Sequence, residues 1–432
     1  MTKIAYVAAG STGFAPGFVA DIMMRPALAD CTLTLMDIDQ DNLDVITALS
    51  KKLARQLDVP IVIESTLDRR EALDGADYVI STATALGGRE ARVVERKIML
   101  KYGLDVSSGC TTGLGGVFRT IRYAPLMLGI CRDMEELCPD AWLFHYANPT
   151  TTVPLLMNVA SPIKSMGLCH SVQHTAQTLA AYIEAPYDET GHWVAGVNHQ
   201  AWYLRFEWKG EDAYPLLFEK MQDSKIYDKD IVRFEMMKYF GYFLTESSGH
   251  NAEYVPYFRK NAELIERYTP GIHALKWQER EIEREPKRRA ELRSKAYGDE
   301  PLEVSESPEY CVGIINAMET NEPFRFNGNV LNTGTITNLP NDIVVEVPCL
   351  VDNLGIHPCY VGDLPPQCAA LNAGRSAGDP LAVKGTLEAD RKAIEQAVAL
   401  DPLTASLLTL DQIHEMVEET FVALAEWLPE FK

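Results

Sequence analysis

The opening stretch of the chain limits its fold more than any other. KIAYVAA (3–9) is a short run of β-formers and small residues, and GSTGF (10–14) is a glycine turn. A helical pattern then runs through Met24, and TLTLMD (32–37) is a second strand ending in an acid. Strand, turn, helix and strand in that order build a parallel sheet with helices packed on its faces. The turn reads Ala8-Ala9-Gly10-Ser11-Thr12-Gly13, a dinucleotide fingerprint in which Ala8 replaces the first glycine. Gly10 lets the backbone approach a pyrophosphate, and Gly10 and Ser11 lead into a helix N-terminus that favours an anion. Asp37 ends the second strand, where an acid binds the ribose hydroxyls of NAD and disfavours the extra phosphate of NADP. The alternative is a tight turn that binds nothing.

The alternation continues. DNLDVITALSKKLARQL (41–57) is an amphipathic helix and PIVIEST (60–66) a third strand. GADYVISTATA (75–85) is apolar enough to be buried on both faces, and AWLFHYAN (141–148) is another strand. Helical stretches fall near 89–102 and 116–137. After residue 195 the texture changes. WYLRFEWKG alternates as a strand, 227–247 and 276–298 read as helices, and 324–352 holds two or three strands broken by Asn, Gly and Pro. The tail DQIHEMVEETFVALAEWL is an amphipathic helix. The expected class is α/β: a Rossmann-like parallel sheet over 1–195 that binds NAD, and an α+β lobe over 196–432 for substrate and oligomerisation. A chain of 432 residues suits two lobes sharing a large core.

The 61 acidic residues against 40 basic ones give a net charge of -21, which argues against nucleic acid and anionic membranes as partners. The mixed run EREIEREPKRRAELR (279–293) reads as an exposed helix with charge pairs one turn apart. The nine cysteines contain no C-x-x-C pair, which fits a reducing, cytoplasmic setting. The first apolar run is too short for a leader, and none approaches the ~18 residues of a membrane span.

One cluster remains unexplained by packing. GLCHSVQHT (167–175) places Cys169 and His170 where a strand, KSMGLCH, meets a helix for which Ser171 is the natural cap. Open α/β sheets build their sites at such strand ends. GVNHQAW (196–202) offers His199 beside Asn198 in another turn. Cys169 and His199 can share one divalent ion and leave positions open for substrate and water. On spacing alone a buried thiol with a hydrogen-bonded core histidine is the commoner arrangement. His174, one turn into the helix, reads as solvated or bonded to a carbonyl.

Taken together, these segments make the chain resemble the NAD- and metal-dependent glycosidases of glycoside hydrolase family four, and among them the α-galactosidases (melibiases). The matches run almost the whole length: AAGSTGF, LMDID, GLGGVFRTIR (113–122), YANP (146–149), GLCHSVQ, GVNHQAWYL, TESSGHNAEYVPYF (245–258), NLPNDIVVEVPCLVDNLGIHP (338–358) and GDLPPQCAALN (362–372). The family is a known exception to two-carboxylate glycoside hydrolysis. The resemblance implies oxidation at C3 of the sugar, deprotonation at C2 and elimination at C1, with NAD regenerated each cycle and Mn2+ gripping the C2 and C3 oxygens. It implies Cys169 and His199 as metal ligands and Gly10, Ser11 and Asp37 as NAD contacts. His170 falls where relatives touch substrate or assist the leaving group, and Asn148 where they hydrogen-bond the sugar. Tyr254 is the candidate C2 base; the alternative is an aromatic packed under the second lobe. Arg119 matches an arginine that holds a sugar hydroxyl or carboxylate, or only an ion pair. A homodimer or homotetramer is the family's precedent.

Two departures bear on the substrate. In CTTGLGG (110–116), relatives commonly carry Asp at the position of Cys110 and Pro at that of Leu114. This leaves an α-galacturonide, α-glucuronide or α-glucoside open beside the α-galactoside. Readings from other classes are an NAD-dependent hydroxy-acid dehydrogenase, which needs no cysteine ligand, and a silent NAD sensor, which needs no metal site.

Overall fold

The computed structural model describes residues 1–431, with side chains for all of these except 277, 278 and 281. Twelve strands form one sheet. In chain order they are β1 (Lys3–Val7), β2 (Thr32–Met36), β3 (Val62–Thr66), β4 (Tyr78–Ser81), β5 (Trp142–His145), β6 (Lys164–Gly167), β7 (Thr190–Val197), β8 (Gln200–Trp208), β9 (Glu211–Asp212), β10 (Phe324–Leu331), β11 (Val344–Asp352) and β12 (Gly355–Pro358). The spatial order is β3-β2-β1-β4-β5-β6-β10-β11-β7-β8-β9, with β12 on β11. The first six strands are parallel, and their order is that of the doubly wound dinucleotide fold. The sequence pattern anticipated this half, because strands buried on both faces read as continuous apolar runs.

The C-terminal half builds no separate sheet. Its strands extend the first one with antiparallel pairs, so the same sheet carries both halves and position 195 lies inside β7. The join is a row of cross-strand partners, Gly167–Asn329–Glu346–Gly196, linking β6 through β10 and β11 to β7. Three residues there are sealed by packing: Asn329 and Glu346 are 1% and 0% exposed, and the Asn329 amide donates to the Gly167 carbonyl at 3.0 Å.

Local sequence explains several helix ends. The helix expected over 227–247 spans only Ile231–Phe240, because Gly241 takes φ 88° as a left-handed cap and the chain turns back to bridge Trp202. The tail helix starts at Leu410 behind a capping box of Thr409 and Gln412. The helix expected from residue 116 begins at Gly113. There, close approach and not flexibility requires glycine: a Cβ on Gly115 would lie 1.9 Å from the Gly109 carbonyl, and one on Gly116 2.5 Å from that of Thr111. GLGG is therefore the surface on which loop 107–112 rests.

Arg122, on the helix Gly113–Leu137, is fully buried and pairs with buried Glu95 at 2.7 Å, while its other arm donates to the Leu86 carbonyl at 2.6 Å. Removing one partner of such a pair strands the other charge. Arg122→Ala should cost about 3–5 kcal/mol of stability in urea unfolding; a loss below about 1 kcal/mol would contradict this role.

Candidate active site

Most of the anticipated site residues sit at strand ends or tight turns; Arg119 lies instead within the helix Gly113–Leu137, and Tyr254 caps the end of the helix Ser248–Glu253. The glycine turn follows β1, and Asp37 follows β2. The Gly10 amide donates to Asp37 Oδ2 at 2.8 Å, and a Cβ on Gly10 would meet Asn42 and Asp37 at 2.6 and 2.7 Å. Ala8 adopts φ 62°, the left-handed conformation that the usual glycine takes without strain. Ser11 opens the next turn, its carbonyl accepting from Ala15.

Cys169 and His170 follow β6. His170, not Ser171, is the cap residue of the helix Ser171–Tyr182, so the Ser171 amide is one of the free N–H groups at its start. His199 lies in the two-residue turn between β7 and β8 at φ 63°, an uncommon conformation for a residue with a side chain. These two segments meet: Cys169 Sγ is 3.4 Å from His199 Nε2. Donors about 2.3 and 2.1 Å from one transition-metal ion stand roughly 3.1–3.6 Å apart, so the pair fits a shared ion. Burial, with the charges of Glu346 and Glu246, pushes the Cys169 thiol up to about 12. Burial pushes His199 down to about 3 and keeps it neutral. The neutral imidazole is ready to ligate, and the thiol gives up its proton only to a cation. Among the described residues no group of three or more His, Cys, Asp or Glu is placed to hold a metal, so two protein donors are what the site offers.

The other nitrogen of His199 fixes Tyr254. With Nε2 free to ligate, Nδ1 carries the hydrogen and donates to Tyr254 Oη at 3.2 Å. Burial and the charge of Glu253 raise the Tyr254 phenol well above the usual value, with a hydrogen bond to Thr111 working against them; the Arg375 guanidinium lies 5.8 Å from the ring centroid. Two nitrogens of Arg375 are buried with no partner. The neighbouring Glu253 anchors the loop 107–112: its carboxylate accepts from the amides of Ser107, Ser108 and Gly109 at 2.8, 3.0 and 3.2 Å and from both serine hydroxyls.

That loop brings Cys110 to Asn148, whose amide nitrogen is 3.4 Å from Sγ. Burial opposes ionisation of Cys110, but a hydrogen bond from His250 and the charge of Arg119 outweigh it and lower the thiol to about 6. His250 is half-buried, which lowers its basicity, but Glu246, whose carboxylate is 3.0 Å away, prevails and holds it up to about 9. The lowered value favours the thiolate form of Cys110. Arg119 also lies over the Tyr123 ring at 5.7 Å.

His170 Nδ1 pairs with Glu309 at 3.0 Å. Burial lowers its basicity, but the bond to Glu309 prevails and raises it overall. His174 is exposed and packs 4.7 Å from the His170 ring. Phe14, beside the dinucleotide turn, lies 6.2 Å from His170 on its other side and joins the two halves of the site. Glu246, His250, Glu309 and Arg375 carried no expectation. Only the i,i+4 spacing of Glu246 and His250 offered a local signal.

Comparison with known proteins places the chain. Residues 3–185 match the family 4 glycosyl hydrolases and residues 194–404 match the family 4 glycosyl hydrolase C-terminal domain. An α-galactosidase of Bacillus subtilis (strain 168) is 39% identical over the full length of both chains. An α-galactosidase of Rhizobium meliloti (strain 1021) is 33% identical over 99% of this chain and 89% of its own. A 6-phospho-α-glucosidase from gut microorganisms, solved with NAD and Mn2+, superposes with a TM-score of 0.86 over all of both chains at 21% identity, a likeness of fold. The fold and site describe a glycosidase built on a dinucleotide-binding sheet, and the chain belongs to glycosyl hydrolase family 4. No helix among the described residues is long and apolar enough to cross a membrane.

Gly116→Ala should displace Thr111 and the loop bearing Cys110, costing about 1–3 kcal/mol of stability. Activity should fall more than tenfold under conditions where circular dichroism still reports a folded chain; unchanged activity would show that the loop position is not critical.

Proposed function

We propose that this chain hydrolyses α-galactosides with NAD and Mn2+ as cofactors. The observation that carries this reading is the meeting of Cys169 and His199 at 3.4 Å, with Tyr254 on the far nitrogen of the same histidine. The two α-galactosidase relatives support the sugar. When bound, NAD accepts and returns a hydride, and Mn2+ polarises the sugar oxygens beside it.

The chain's own residues supply the rest. Gly10, Ser11 and Asp37 hold the dinucleotide, and Cys169 and His199 hold the metal. Asn148 and Arg119 orient the sugar. Tyr254 Oη takes the proton from C2; burial opposes its ionisation, so it would need the positive charge of a metal ion held by His199 beside it. His170 gives a proton to the departing oxygen, and Glu309 keeps that proton in place. A second reading keeps the chemistry and changes the sugar to another α-glycoside, on the ground that Cys110 replaces a carboxylate in the sugar loop.

The test is cleavage of p-nitrophenyl α-galactoside with NAD, Mn2+ and reductant, each omitted in turn, beside the α-glucoside and both α-uronides. Galactoside cleavage that needs NAD and Mn2+ is expected. Preference for another glycoside with the same dependence selects the second reading. Cleavage independent of both would refute the mechanism. Cys169→Ser should lower turnover more than about 100-fold while NAD still binds.

The His170 pair gives a pH signature. Its raised basicity holds a proton that is fully present below the ordinary histidine value and lost as pH rises through the raised one. Activity that needs this proton falls over the same window. Glu309→Gln removes the cause, so the alkaline limb of kcat should move toward lower pH; an unmoved limb would take His170 out of the acid role.

A further inference from the structure

The helix Lys276–Tyr297 crosses the mouth of the dinucleotide turn, and its hold there is polar. Of its described side chains Ala296 is buried and Leu292 and Glu285 half-buried. Its far end is tied to the helix Gln40–Leu57 through backbone: Lys52 donates to the carbonyls of Lys295 and Gly298 at 2.9 and 2.7 Å, and Gln56 exchanges bonds with Leu302. Its near end is tied by one carboxylate. Glu285 accepts from Thr12 Oγ1 at 3.3 Å, inside the glycine turn itself, and from Arg289 Nε at 2.9 Å, and pairs with Arg89 at 3.3 Å. Arg289 in turn donates to Asn42 Oδ1 at 3.1 Å, one turn beyond Asp37.

This is the set of contacts a phosphate makes. An anion sits beside the helix Ala15–Met24, whose N-cap residue offers no side-chain bond, and it is gripped by a turn hydroxyl and two guanidiniums. The cavity left between the strap and the turn, lined by Gly10, Thr12, Asn42 and Arg289, measures about 190 Å³. That is below the ~300 Å³ that even a drug-sized ligand occupies, and a dinucleotide is larger. A dinucleotide seated on this turn therefore meets Glu285 at Thr12.

We propose that this helix is a latch on the dinucleotide site in which Glu285 stands in for a phosphate, and that cofactor binding transfers Arg89 and Arg289 from Glu285 to the pyrophosphate. The proposal rests on the NAD reading above. Glu285 is a competitor and the two arginines are ligands; together they make release of the cofactor depend on an exchange of ion pairs. Because the pairs are partly solvated, each is worth up to about fivefold in affinity.

Calorimetric titration of the full-length protein with NAD and with adenosine tests this. Glu285→Gln should tighten NAD about two- to fivefold and leave adenosine, which has no phosphate, unchanged. Adding Arg289→Gln to Glu285→Gln should weaken NAD by a similar factor, since the arginine, still held toward the turn by Asn42 and Asp39, no longer has the Glu285 carboxylate to release before it meets the pyrophosphate. Equal or weaker NAD binding by Glu285→Gln overturns the latch, as does an equal gain with adenosine, which would make the helix a steric door only. Failure of the unaltered protein to bind NAD would instead sink the dinucleotide reading, and the latch with it.

Discussion

The site depends on the sheet being continuous from β6 to β7. Cys169 lies two residues beyond Gly167 and His199 three beyond Gly196, and the row Gly167–Asn329–Glu346–Gly196 sets the spacing between those anchors. Glu346 is the costly member. It is wholly buried, its one side-chain bond is to Asn198 at 3.3 Å, and burial holds its carboxyl up to about 8. Its carboxylate, when ionised, is one of the two charges that raise the Cys169 thiol, so the protonation of Glu346 and that of Cys169 are coupled.

Charge elsewhere in the site is arranged by pairing and not by exposure. Glu253 is surrounded by amides and hydroxyls, Glu95 is matched by Arg122, and Glu246 supports His250, which supports Cys110. Glu95 and Glu253 take their partners from other segments, while Glu246 pairs with His250 one turn along its own; pairing is the condition under which such groups are tolerated. This ties the loop 107–112, the Asn148 turn and the segment 245–254 into one unit, so Cys110 and Tyr254 keep a fixed relation.

Much of this was legible in the chain. The strand–turn–helix–strand opening, with Gly10 and Asp37 in place, announced the parallel sheet because local periodicity and glycine placement are short-range properties. Cys169, His170 and His199 stood out for the same reason: thiol and imidazole at predicted strand ends and turns. The helix over 227–247 was overextended because apolar periodicity continued past Gly241, where a left-handed cap ended it.

The sequence by itself determined the doubly wound half, the dinucleotide turn and the residue types that do chemistry, since these follow from patterns spanning a few residues. Tertiary structure alone decided that the second half extends the first sheet, that Cys169 meets His199, that Tyr254 takes the remaining nitrogen, and that Glu309, His250 and Arg375 belong to the site. Those partners lie tens to hundreds of residues apart. Their meeting is set by cross-strand register and by glycines that let backbones touch, and neither is encoded in any one local window.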